Sequence, residues 1–146
     1  MIQRHAFTLD TNRPDAVAKR HAFGLRTARE NIPDLCDADS FIEYGALAIA
    51  AQRSRRELDD LLKNTPADGM ITGIGSINRE LCGDERSRAV VMAYDATVLA
   101  GTQGIRNHAK TDRMLGIALQ NRSCCLQKEA AAAPGIWICR SSPGCT

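Results

Sequence analysis

The sequence predicts a single domain of the α/β class, on three observations. Two apolar runs rich in Ile, Val and Thr, residues 69–78 and 88–101, are bounded by glycine and charged turns, as paired strands are. The segment that follows, NHAKTDRMLGIALQ at 107–120, gathers Met114, Leu115, Ile117, Ala118 and Leu119 along one side of a helix. A chain of 146 residues is long enough for one packed core and short for two.

The composition is 44% hydrophobic and 25% charged with a formal net charge of +2, which is that of a soluble globular protein. Nothing in that balance calls for a polyanionic partner, so no nucleic acid is expected. No apolar run approaches the ~20 residues of a spanning helix. The start MIQRHAFTLD lacks the apolar core of a signal peptide. The expectation is therefore a cytoplasmic protein with no membrane partner. Arginine outnumbers lysine 15 to 4 and there are 21 alanines, a bias of GC-rich coding sequence.

Element by element, residues 14–23 open on Pro14 and stop at Gly24, a short surface helix with proline in its first turn. TARENIPDLC begins with Thr27 and places Glu30 three residues on, a capping-box pattern, and Pro33 should stop or kink that helix early. SFIEYGALAI starts with alternation at Phe41, Glu43 and Tyr44, so a short strand followed by a turn or helix is expected. RSRRELDDLLKN at 53–64 puts Leu58, Leu61 and Leu62 on one face of an amphipathic helix ended by Asn64, Thr65 and Pro66. Its basic cluster Arg53, Arg55 and Arg56 is cancelled by Glu57, Asp59 and Asp60, which favours a solvated face over a phosphate site. After helix 107–120 a layered α/β domain should add another buried strand. A cysteine-rich tail stands there instead.

Most familiar chemistries are absent from the pattern. GIGSIN at 73–78 lacks the third glycine of a dinucleotide loop and sits inside a strand. Lys110 and Thr111 in GTQGIRNHAKT are too far from a glycine for a phosphate loop. His5, His21 and His108 have no zinc-ligand spacing, and His108 reads as a surface or capping residue. Cys36 and Cys82 read as small half-buried hydrophobes. The tail cysteines Cys124, Cys125, Cys139 and Cys145 show no Cys-x-x-Cys spacing, so neither zinc nor a disulfide framework is expected. The turn Gly101-Thr102-Gln103-Gly104 differs, because it joins a strand to a helix whose N-terminus carries partial positive charge. It suits either a substrate contact or a tight turn needing positive φ.

TARENI, SFIEYGALAIAAQRSRR, NTPADGMITGIGSIN and VVMAYDATVLAGTQGIRNHAKTDRMLGIAL resemble, in order and spacing, the N-terminal half of the carboxyltransferase component of biotin-dependent acyl-CoA carboxylases. The acetyl-, propionyl- and long-chain acyl-CoA carboxylases are meant, and the likeness covers about residues 14–120. The resemblance implies a crotonase-like fold of stacked ββα units. It implies transfer of a carboxyl group from carboxybiotin to the α-carbon of an acyl-CoA, in fatty acid metabolism. In that chemistry carboxybiotin releases CO2 and the ureido nitrogen takes the α-proton. The protein then mainly positions two substrates and stabilises a thioester enolate with backbone amides. By the same resemblance Gly101, Thr102, Gln103, Gly104 and Arg106 would line the acyl-CoA groove, Arg106 as a phosphate contact, with no side chain assigned as catalytic. Biotin would be carried on a separate domain or protein, and the partners would be the biotin carboxylase, the carrier and further copies of the chain. A crotonase-like hydratase or isomerase, or a non-catalytic CoA-binding or assembly module, are the alternatives.

In the family a strand and a glycine-rich loop follow the last helix. Read one base earlier, with a suitable choice of codons, NRSCCLQKEAAAAPGIWICRSSPGCT becomes PVVLLAEGGGGGAGDLDLPVVAGLH, in which the alanines 130–133 turn into glycines. The expected organisation is thus a helix and linker at 1–26, a partial acyl-CoA carboxyltransferase unit at 27–121, and a disordered out-of-frame tail at 122–146. Such a truncated chain would be inactive alone and poorly soluble, with strand edges left uncovered.

Overall fold

The computed structural model describes residues 2–128 and 137–139. Three N-terminal helices, α1 (Ile2–Ala6), α2 (Pro14–Ala22) and α3 (Ala28–Leu35), precede strand β1 (Ile42–Tyr44) and helix α4 (Leu58–Asn64). Strand β2 (Met70–Ser76), two single-turn helices α5 (Arg79–Cys82) and α6 (Asp84–Ser87), and strand β3 (Arg88–Tyr94) follow. Helix α7 (Ile105–Asn121) then leads to β4 (Cys124–Lys128), and β5 (Ile138–Cys139) completes a sheet ordered β1-β2-β3-β4-β5. β2 and β3 pair antiparallel from Met70↔Tyr94 to Ser76↔Arg88, and β4 returns parallel to β3. The succession β2–β3–α7 is one ββα unit, and β4 is the strand that follows it.

Strand alternation divides the core in two. Val90, Met92 and Tyr94 of β3 and Met70 of β2 pack with Met114 and Ala118 of α7 and with Cys125 of β4. Val91 and Ala93 of β3 and Ile71 of β2 face Ala28, Ile32 and Cys36 on the other side, with Phe41 and Trp137 against them. The sheet is therefore covered by α7 on one face and α3 on the other.

The capping box of α3 forms in full: Thr27 accepts from the Glu30 amide at 3.1 Å and Glu30 accepts from the Thr27 amide at 2.7 Å. Pro33 neither stops nor shortens the helix, which runs to Leu35. At the sixth helical position proline forfeits the bond its own nitrogen would give to Arg29, and the turn closes again with the Cys36 amide donating to Ile32 O at 2.9 Å. Arg29 crosses to β1 in a bidentate pair with Glu43 at 3.0 and 3.1 Å.

Three expectations are corrected. The helix expected over 53–64 occupies only Leu58–Asn64, because residues 52–56 turn on Gln52 O and Arg56 pairs with Asp60 across the helix start. Cys82 is exposed, on α5, while Cys36 is buried, and burial beside Asp37 pushes its thiol up to about 11. The tail was expected to be disordered, yet Cys124–Lys128 form β4 in the heart of the sheet and Ile138–Cys139 form β5. The backbone amides of this segment find a ready ladder on β3, and Cys125, Gln127 and Lys128 are buried there. Residues 129–136 and 140–146 of that tail lie outside the described residues.

Candidate functional site

The passage from β3 to α7 is held by side chains far apart in sequence. At the end of β3, Asp95 accepts from Arg13 at 3.1 Å and from the Thr97 amide at 2.9 Å, while its own amide donates to Gly69 O at 2.9 Å. Both partners of the Arg13–Asp95 pair are nearly buried, so α2 is tied to this turn by a charge pair that water scarcely reaches. The chain then runs through Leu99, Ala100 and Gly101 at φ of 46°, 53° and 76°, three consecutive left-handed residues. Of these only Gly101 adopts that conformation without steric cost, and backbone strain of this kind collects at sites where structure around it over-determines the turn.

Thr102 and Gln103 are exposed. Thr102 donates its hydroxyl to Leu99 O at 2.8 Å, and the Gln103 amide reaches the Tyr94 hydroxyl at 2.6 Å, which fixes the turn to the end of β3. Gly104 is the N-cap residue of α7 and brings no side chain to it. The cap comes from Asp68 instead. Its carboxylate accepts from the Asn107 amide at 2.8 Å, and Asn107 donates its side chain back to Asp68 O at 3.3 Å. A Cβ on Gly104 would stand 2.6 Å from Asp68 Oδ2, so glycine is what lets the carboxylate come this close. Asp68 takes the Asn107 amide and not those of Ile105 and Arg106, which open the helix.

Asp68 lies in a second strained turn, Pro66–Gly69, with φ of 54° at Ala67 and 48° at Asp68. Lys110 braces it. Its ammonium donates to Ala67 O at 2.9 Å and also to Met70 O, and burial pushes its pKa down to about 8 against the opposing pull of Glu43 and Asp68. Arg106 is exposed one turn earlier. With Arg113 it rims an apolar cleft of about 230 Å³ between α7 and β1, walled by Tyr44, Ala48 and Met114.

The five expected residues are thus contiguous: Gly101 to Gly104 form one continuous turn, and Arg106 stands just inside the helix that the turn opens. The reading of Lys110 as a failed phosphate loop overlooked its structural use, and Asp68 escaped notice because PADG reads as an ordinary helix end. The left-handed Ala67 has no residue-type signal, and the one at Asp68 is weak, since Asp visits that conformation only occasionally. His108 is exposed and serves no such contact. Among the described residues no group of His, Cys, Asp or Glu could hold a metal ion, and no helix is long and apolar enough to cross a membrane.

The family model of the carboxyl transferase domain matches residues 19–139. The β5 subunit of the biotin-dependent acetyl-/propionyl-coenzyme A carboxylase of Mycobacterium tuberculosis is 41% identical over 92 residues, 62% of this chain and 15% of that protein. The propionyl-CoA carboxylase beta chain of Saccharopolyspora erythraea is 35% identical over 107 residues, 72% of this chain and 17% of that protein. Among solved structures, a single-chain, multi-domain long-chain acyl-CoA carboxylase superposes with a TM-score of 0.85 at 57% identity, covering 92% of this chain and 14% of that one. The transcarboxylase 12S hexamer, solved with methylmalonyl-coenzyme A, superposes at 0.62 with 31% identity over 77% of this chain and 20% of that one. The chain spans about a sixth of the length of these curated relatives. The structural likeness bears out the crotonase-like α/β fold, here with one ββα unit and its following strand. With the family match running from α2 through β4 and into β5, the chain belongs to the carboxyl transferase domain family.

Proposed function

We propose that this chain forms part of the acyl-CoA side of a biotin-dependent carboxyltransferase, which moves a carboxyl group from carboxybiotin to the α-carbon of an acetyl- or propionyl-type acyl-CoA. The observation that carries this is the family match running unbroken over β3, the Gly101–Gly104 turn and α7. The groups present suit the coenzyme A part of the substrate: an exposed arginine and two helix-opening amides offer hydrogen bonds and positive potential to phosphate. Biotin is proposed to be carried on a separate domain or protein, and when bound it would bring the carboxyl group to be transferred. The biotin carboxylase, that carrier and further copies of the chain are the proposed partners, in the cytoplasm and in fatty acid metabolism. The glycine loop that would face a thioester enolate follows the strand after α7 in the family, and this chain departs from the family's pattern there, at residues outside those described.

Calorimetric titration with propionyl-CoA tests the binding part. Saturable binding is expected, and Arg106→Ala is expected to weaken it about tenfold, the loss of one hydrogen bond to a charged group. Binding of equal strength in that variant would remove Arg106 from the site.

We propose further that the codons for 122–146 are shifted by one base, although the family match reaches residue 139 in the frame as given. Gln127 and Lys128 are buried on an interior strand, a place where parallel strands carry apolar residues. The coding DNA decides this: the shifted frame should spell an apolar strand and a glycine loop, and any other reading of it rejects the shift.

A further inference from the structure

We propose that Cys124 and Cys139 form a thiol pair that closes to an intrachain disulfide across β4 and β5 on exchange with a small-molecule disulfide. Their Sγ atoms stand 3.4 Å apart. β4 and β5 run antiparallel with Leu126 opposite Cys139, so Cys124 faces Cys139 on the diagonal, one step along the same side of the strand pair. Bringing the sulfurs to the bonded separation of about 2.05 Å requires them to approach by about 1.4 Å. Side-chain rotation and a small shift of β5, a two-residue strand at the sheet edge, supply that.

Two further thiols are closed to solvent. Cys125 is fully buried against Met92 and Met114, and Cys36 is buried under α3 with its pKa raised. Cys139 is exposed and is the sulfur that meets solvent first. In the exchange the Cys139 thiolate attacks one sulfur of the small disulfide and expels one thiolate. The Cys124 thiolate then attacks Cys139 Sγ and expels the second. The two protons lost by the protein pass to the two released thiolates, so one small disulfide becomes two thiols and the protein is oxidised by two electrons.

Closure has a local consequence. Trp137, the single tryptophan, packs against the α3-side core two residues before Cys139. The bridge pins that contact to β4. The test is to incubate the folded chain with oxidised glutathione, digest it with trypsin and map linked peptides. Peptides 123–128 and 129–140 are expected joined, with a mass loss of two hydrogens, and acrylamide quenching of Trp137 should fall. Cys139→Ser and Cys124→Ser should abolish the link and the fall in quenching, while Cys125→Ala should keep both. Linkage that survives Cys124→Ser, linkage to the peptide 141–146 instead, or linkage that appears only in urea would each overturn the proposal.

Discussion

Replacing Gly73 with alanine is expected to cost about 3 kcal/mol, the upper range for overfilling a packed interior. Gly73 pairs with Glu43 of β1, and a Cβ there would stand 2.3 Å from Ile42 O and 2.5 Å from the Phe41 ring. The first of these is backbone, which cannot rotate away. To make room, β1 must leave β2, and it would take with it both the Phe41 contact to the α3-side core and the Glu43 end of the Arg29 pair. Urea denaturation of the two proteins checks this. A loss under about 1 kcal/mol, the size of an ordinary substitution, would mean that β1 does not pack on Gly73 as described.

The second large effect depends on pH. Lys110 has a folded-state pKa of about 8 against an ordinary value of 10.5, so between these values the unfolded chain binds more protons than the folded one. Stability must then rise with pH across that window, by up to about 3 kcal/mol, and the gain is lost as pH falls through 8. The cause is burial of the ammonium between α7 and the Pro66–Gly69 turn, where Ala67 O and Met70 O accept from it. Lys110→Met keeps the length of the side chain and removes the charge, so the variant should lack this rise between pH 8 and 10.5 and the two curves should diverge there. Denaturation midpoints across that range report it. Parallel curves for parent and variant would show that Lys110 is not buried when charged.

How far the sequence disclosed this structure depended on whether the cause was local. The Thr27–Glu30 capping box and Pro14 at the start of α2 are local patterns that appear where their residues placed them, and the apolar run at 88–101 forms a strand over its first seven residues, Arg88–Tyr94. The shortened α4 was not foreseen, because Leu58 to Leu62 set the helical period but the turn on Gln52 O governs where the helix begins. A strand was expected at the place of β4 from the layered fold, but not from the residues that stand there. Its residues carry no strand preference of their own, and the strand exists because β3 offers a ladder to the chain returning from α7. At the site, the turn 101–104 was visible from its glycines and position, whereas Asp68 comes against Gly104 from 36 residues away, and Lys110 braces the turn that carries Asp68, through a fold that only tertiary packing defines.

The placement of the acyl-CoA groove on the β3–α7 turn is tested most directly by amide-resolved NMR during titration with propionyl-CoA. The amides of Gly101, Thr102, Gln103, Gly104, Ile105 and Arg106 should shift together and saturate at one concentration, ahead of those on α2 and α5. Saturating shifts confined to other elements, with this turn unmoved, would contradict it.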